Sequence, residues 1–196
     1  MHNFLKTAFA AACLTGAVAT AATAADVYDL DQGHTEVIFG WSHAGVSMQH
    51  GEFEKTEGVL TVDPNDISKT KVEVTIDATS VSTGVEPLDT HLKSSDFLEV
   101  ETYPTITFVS TGVTKTGETT VEITGDLTLH GVTKPVTLAA ELTHQGPHPV
   151  GKFLDYYKGE WMAFAASTEI DHMAWGVGNF STGPISIEIN TEMKKR

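Results

Sequence analysis

Cysteine is all but absent: Cys13 is the single one in 196 residues, and it stands in an alanine-rich leading stretch. No disulfide can form within the chain, so its core must hold it. Positive charge is scarce too, with 12 basic residues against 26 acidic ones and a net charge of -14. That balance argues against a nucleic-acid partner, whose binding depends on a basic surface, and against an anionic membrane surface. The chain also has no H-E-x-x-H, no G-x-S-x-G and no glycine-rich phosphate loop ahead of a helix. Motif-level support for a zinc peptidase, an α/β-hydrolase or a nucleotide-binding enzyme is therefore missing. No apolar run is long and leucine-rich enough to favour a membrane-spanning helix.

What the chain does have begins with "MHNFLKTAFAAACLTGAVATAATAA", which carries one cation, Lys6, no acidic residue, and a small-residue ending. This reads as a secretory signal peptide over residues 1–25. Ala22 and Ala24 make an A-x-A site, so cleavage is expected after Ala24 or Ala25. The mature chain, 26–196, would hold about 171 residues, the size of a single domain. A lipoprotein site at Cys13 is disfavoured because no leucine stands three residues before it.

Period-two alternation fills the rest. In "EVIFGWSH" Val37, Phe39 and Trp41 share one side; "KVEVTIDA", "TVEITGDLTLH", "VTLAAELTH" and "ISIEINTEM" alternate likewise. With "GVLTVD", "TITFVST" and "WMAFAASTEI" this predicts about eight antiparallel strands, each with one apolar face. Thr116-Gly117-Glu118 and His130-Gly131 mark turns. A sandwich and a closed barrel both satisfy this pattern, and a barrel can be filled by its own side chains or hold one small ligand. Gly125 and Ala140 interrupt bulky inward rows, which either bends a strand or leaves space. One segment, "VEPLDTHLKSSDFLEVETYP", reads as one or two short helices across a barrel end, with Pro87 near its start and Ser94 or Ser95 as a cap before Asp96. A further helical turn is expected in "DHMAWGV".

"LDQGHTEVIFGWSH", "LDTHLKSSDFLEVETYPTITFVST" and "GDLTLHGVTKPVTL" resemble successive signature segments of the YceI-like family of lipocalin-like, polyisoprenoid-binding proteins. The resemblance runs from Tyr28 to the last strand, and its middle block, from Asp89 through Ser110, keeps the family's spacing. It implies an all-β fold, an extended eight-stranded antiparallel lipocalin-like barrel with short helices at the barrel ends, whose apolar lumen takes an isoprenoid tail. It further implies a periplasmic protein, often a homodimer. Val37, Phe39, Trp41, Phe53, Ile106, Phe108, Leu127, Leu129, Ala140 and Phe164 are then the expected lumen residues. His43, Asp89, His91, Lys93, His172 and Trp175 are the expected head-group residues at the mouth. At the last helical turn the family commonly carries Arg followed by an aromatic and Gly, whereas this chain has His172, then Trp175 and Gly176; an always-charged fork becomes a group that titrates near neutrality.

The expected function is non-catalytic binding, carriage or storage of an isoprenoid lipid, a prenylquinone or polyprenyl derivative, with no cofactor and no metal. Two alternatives stand beside it: a stress-response or interaction protein with a filled barrel, and a histidine-based metal binder using His144 and His148 or His43 and His50. Pro147 and Pro149 place the first histidine pair in a loop rather than on a helix, which weakens the metal alternative.

Overall fold

The computed structural model describes residues 25–196; the expected signal peptide lies outside them, except for Ala25. Ten strands form one antiparallel sheet: β1 (Asp26–His43), β2 (Ser47–Phe53), β3 (Thr56–Val62), β4 (Lys71–Asp77), β5 (Val81–Ser82), β6 (Thr105–Lys115), β7 (Thr120–Leu129), β8 (Val132–Pro147), β9 (Glu160–Ile170) and β10 (Ile185–Lys195). β10 pairs with β1, which closes the sheet into a barrel. The closed ring has eight strand positions, because β2 and β3 both pair with β1 and together fill one position, while β4 and β5 fill the next. One short helix, α1 (Glu86–Lys93), follows β5. Among the described residues no helix is long and apolar enough to cross a membrane.

All of the strands expected from alternation are present, and their inward rows face one lumen. Several segments escaped that reading, the two-residue β5 among them. β1 begins ten residues before "EVIFGWSH", because between Leu30 and Thr35 it carries three more residues than β10 does between Met193 and Thr191. Three is odd, so the inward parity flips from Leu30 to Thr35, Val37, Phe39 and Trp41. β2, "SMQHGEF", is too polar to show alternation; His50 is a strand residue opposite Gly40. One-residue bulges follow the same logic between Ser110 and Gly112 in β6 and between Leu142 and His144 in β8. The latter carries β8 on to Pro147, so the expected loop starts only at His148.

The ends differ. At the upper end lie the 44–46 turn, α1 with the 94–104 return, the tight β7–β8 turn and the 171–184 segment. His130 and Gly131 make that turn with φ of 50° and 70°, the left-handed pair a two-residue hairpin favours. α1 starts with a proline in its first turn, which needs no amide donor there. Ser94 ends this helix rather than starting a second one: its hydroxyl donates to the His91 carbonyl at 2.7 Å, and 95–102 is a run of turns. The turn expected in "DHMAWGV" is a 3-10 turn, His172–Trp175, capped by Asp171 and closed by Gly176 at φ 75°. Leu98, Val100, Ile106, Leu129, Ile170, Trp175 and Val177 build an upper core, and Tyr28, Leu60, Met162 and Met193 a smaller lower one.

Gly125 answers to a close approach. A Cβ there would lie 2.4 Å from the Phe108 ring and 2.7 Å from the Val109 carbonyl oxygen, so the space it leaves is taken by Phe108. Gly125→Ala should therefore lower stability by about 1–3 kcal/mol in urea unfolding, as overpacking does. Gly33→Ala, whose Cβ would meet nothing nearer than 3.5 Å, should stay within about 0.5 kcal/mol.

Candidate functional site

The eight strand positions surround a cavity of about 1040 Å³ that runs through the barrel. Val37, Phe39 and Trp41 of β1, Phe53 of β2, Ile106 and Phe108 of β6, Leu127 and Leu129 of β7, Ala140 of β8 and Phe164 of β9 all line it. A filled barrel is thereby ruled out as a description of this fold. Aromatic rings shape the upper half: Phe39 stacks on Trp41 at 5.8 Å and meets Phe53 at 5.4 Å. The Phe39 ring occupies the space over Gly51, its cross-strand partner. Ala140 lies between Val121 and Ala166, and Ala166 also lines the lumen; two adjacent small side chains widen the barrel there. Alternation in β9 carried the signal for Ala166. Leu30, by contrast, was hidden by the parity flip in β1.

At the mouth the expected residues separate. His43, His91 and His172 border the cavity, beside Leu88, Leu92 and Phe97 of the α1 segment and Phe180 of the last loop. Phe180, which no periodicity signalled, is 55% exposed yet lines the opening, and its ring meets Phe97 at 6.0 Å. Asp89, Lys93 and Trp175 do not line the cavity, which corrects their expected place. Asp89 accepts from the Thr83 amide at 2.7 Å and the Thr83 hydroxyl at 2.6 Å, tying the first turn of α1 to the end of β5. Lys93 sits in the last turn of α1, where a cation complements the helix dipole. Trp175 is buried in the upper core, its indole N–H donating to the Leu127 carbonyl at 3.2 Å.

His172 is buried, with Nδ1 2.6 Å from the Val177 carbonyl oxygen. A carbonyl only accepts, so Nδ1 carries a proton. Nε2 faces the Thr182 amide and hydroxyl, each at 3.4 Å. His91 is half-exposed and pairs with Asp96 at 3.2 Å. The mouth thus presents imidazoles and aromatic rings, with no lysine or arginine among the residues that border it.

A second polar group gathers outside the lumen at the lower end. Asp31, His34 and Glu192 each place a possible metal-ligand atom within 4.8 Å of the others. The two carboxylates and imidazole, with His148 beside them, are a donor set that zinc accepts. The same atoms are already engaged, however. Asp31 accepts from His34 Nδ1 at 2.9 Å, the Gly33 amide at 3.1 Å and the Tyr156 hydroxyl at 3.0 Å. His34 Nε2 meets the Tyr157 hydroxyl at 3.2 Å, and His148 Nε2 lies 3.3 Å from Glu192. Trp161, 1% exposed, packs under Tyr156, Tyr157 and His148. The network fastens the 148–159 crossover to the barrel wall. His144 and His148 do come together, with ring centroids 6.3 Å apart.

A model of the YceI-like domain matches residues 28–194. The chain is 41% identical over 174 residues to the protein YceI of Escherichia coli, covering 88% of this chain and 86% of that one. Among solved structures it is similar to Burkholderia cenocepacia BcnA, with a TM-score of 0.72, 21% identity, and coverage of 83% of this chain and 98% of that one. It is also similar to a polyisoprenoid binding domain from Saccharophagus degradans, with a TM-score of 0.65, 13% identity, and coverage of 86% and 98% respectively. These two structural likenesses are likenesses of fold.

Burial acts to raise the Asp31 pKa, but the hydrogen bonds from His34, Gly33 and Tyr156 outweigh it and hold the carboxyl below its usual value. A folded-state pKa below the unfolded one means stability that is present above about pH 3.9 and lost as pH falls through the lowered value. Asp31→Asn should therefore cost about 1–3 kcal/mol at neutral pH. In acid titrations followed by thermal melting, the gap between wild type and variant should close as pH falls below about 4.

Proposed function

The chain belongs to the YceI-like family, and from that premise we propose that it is a non-catalytic binding protein that carries or stores an isoprenoid lipid, a prenylquinone or polyprenyl derivative, in the bacterial periplasm. The observation that carries this reading is the lumen: about 1040 Å³ walled mainly by aliphatic and aromatic side chains, with its charged residues, Lys115 and Glu118, at the lower end. Burial alone supplies the affinity. At about 0.8 kcal/mol per methylene, ten buried tail carbons are worth roughly 8 kcal/mol before ordering costs. The Saccharophagus degradans domain of similar fold is described as polyisoprenoid binding, which supports the same ligand class. The signal-peptide-like composition of residues 1–25 supports export.

Head-group choice follows from the mouth. A diphosphate calls for several cationic or N–H donors, whereas His43, His91 and His172 offer imidazoles, two of them already bonded within the protein. A neutral head group fits this rim better than a charged one.

Native mass spectrometry of protein purified without added ligand tests the reading: a lipid-sized adduct is expected, and a bare or metal-sized mass would reject it. Ala140→Phe should leave the melting temperature within a few degrees while reducing lipid capture, because its ring enters open space; a large loss of stability with unchanged capture would show a packed wall there. In competition at neutral pH, a prenylquinone should bind at least as tightly as a prenyl diphosphate with the same tail. A strong diphosphate preference that weakens with salt would make the mouth an anion site.

A further inference from the structure

Among the described residues, the large apolar side chains that stand exposed lie near one end of the barrel or the other, and Val109 alone interrupts the middle of the wall. The two ends differ in what those side chains adjoin. At the lower end Phe153, Leu154 and Tyr156 sit on the 148–159 crossover, no residue of which lines the cavity. At the upper end Val46 is 84% exposed, and Met48, Val85 and Phe180 are each more than half exposed. These stand around the opening that His43, Ala44 and Gly45 border, and Phe180 belongs to both the opening and the exposed set. The upper apolar surface is thus continuous with the lumen wall, whereas the lower one is not.

The hairpin of β1 and β2 carries its apolar tip clear of the barrel. Pairing of β10 with β1 stops at Gly40, and β5 reaches β2 only at Glu52 and Phe53. Trp41, Ser42 and His43 therefore pair only with Gln49, Met48 and Ser47 of the same hairpin. Three residue pairs beyond the wall amount to about 10 Å at roughly 3.3 Å per residue. The Val46 amide donates to the His43 carbonyl at 3.0 Å, which closes the turn and leaves the Val46 side chain in solvent. Around this tip the upper segments carry Glu86, Asp89, Asp96, Glu99, Glu101 and Asp171 against Lys93 alone. An acidic rim repels anionic head groups, while its apolar side chains gain from leaving water.

We propose that the upper rim is a docking surface for a lipid bilayer with zwitterionic head groups, into which Val46, Met48 and Phe180 insert so that the lumen opens onto the membrane. The proposal rests on the isoprenoid reading and deepens it to the route of lipid exchange. A tail held by burial loses that hold in water, roughly a millionfold for ten methylenes, so release into solvent is slow. An opening set against acyl chains removes that step, because the tail passes from one apolar environment to another. Membrane binding of this kind scales with the apolar area inserted, and a few side chains make a contact that a carrier can leave.

The first arm of the test needs no isoprenoid: co-sedimentation of the ligand-free protein with phosphatidylcholine vesicles at millimolar lipid measures docking. The second follows transfer of a dansyl-labelled isoprenoid from loaded protein to the same vesicles by stopped-flow fluorescence. Wild type should bind the vesicles, and its transfer rate should rise in proportion to vesicle concentration. Val46→Glu and Met48→Glu should each lower both by about tenfold, the order expected for trading one inserted apolar side chain for a charge. Neither side chain lines the cavity, so the melting temperature and the affinity for the probe in vesicle-free solution should not change. Phe153→Glu should leave docking and transfer as they are. Vesicles containing phosphatidylglycerol should bind more weakly, with salt narrowing the gap. A transfer rate independent of vesicle concentration, a loss carried by Phe153→Glu instead, tighter binding to phosphatidylglycerol, or a wild-type dimer that Val46→Glu dissolves would each overturn the docking surface. Vesicle binding by a protein that takes up no isoprenoid would reject the isoprenoid reading alone.

Discussion

Pairing of β10 with β1 turns a twisted antiparallel sheet into a closed ring and leaves no long edge strand, the two-residue β5 alone keeping one unpaired side. Closure also decides what the apolar faces can be. In an open sheet each inward row would need another layer to cover it, whereas in the ring the rows cover one another across a shared interior. With no disulfide possible, this mutual covering and the backbone ladder carry the fold. The 3-residue excess in β1 is the adjustment that makes closure compatible with patterning. It re-phases β1 so that Leu30 at the lower end and Val37, Phe39 and Trp41 above all turn inward.

An interior of this size stays open because the bulky residues are placed where glycine yields to them. Phe39 lies over Gly51 and Phe108 over Gly125, so rings flatten against the wall rather than meeting at the centre. Ala140 and Ala166 widen the wall where strands β8 and β9 pair. The largest fully buried side chain, Trp161, is not spent on the lumen at all. It sits outside under the 148–159 crossover, with the Asp31, His34 and His148 network around it, and the histidines there serve packing and hydrogen bonding of that crossover.

Chemically the lumen is nearly uniform, and its exceptions are therefore informative. Imidazoles gather at the upper rim, Lys115, Glu118 and Thr119 stand at the lower end, and the paired Thr35 and Thr191 stand within. A uniform apolar tube selects tails by volume and is indifferent to heads. Discrimination among lipids must then come from those few polar atoms, and their depth determines which end of a ligand they meet.

Alternation by itself determined the strands, their inward faces and the antiparallel class, because the period of two is a local property of side chains on an extended backbone. All ten expected lumen residues do line the cavity, nine of them on strands that alternation marks and Phe53 on polar β2. Resemblance supplied the barrel, and with it the choice over a sandwich that periodicity could not make. The N-terminal half of β1, polar β2, the extension of β8 and the position of Phe180 were illegible: bulges, polar strands and loops leave no periodic trace. The same holds for the mouth, where Asp89, Lys93 and Trp175 lie close in sequence to cavity residues but turn to Thr83, the helix end and the Leu127 carbonyl. That Thr35 finds Thr191 as its partner is fixed only when β10 meets β1. Sequence thus set the faces of the strands, while the closed tertiary structure decided the emptiness of the space between them and which polar groups stand at its ends.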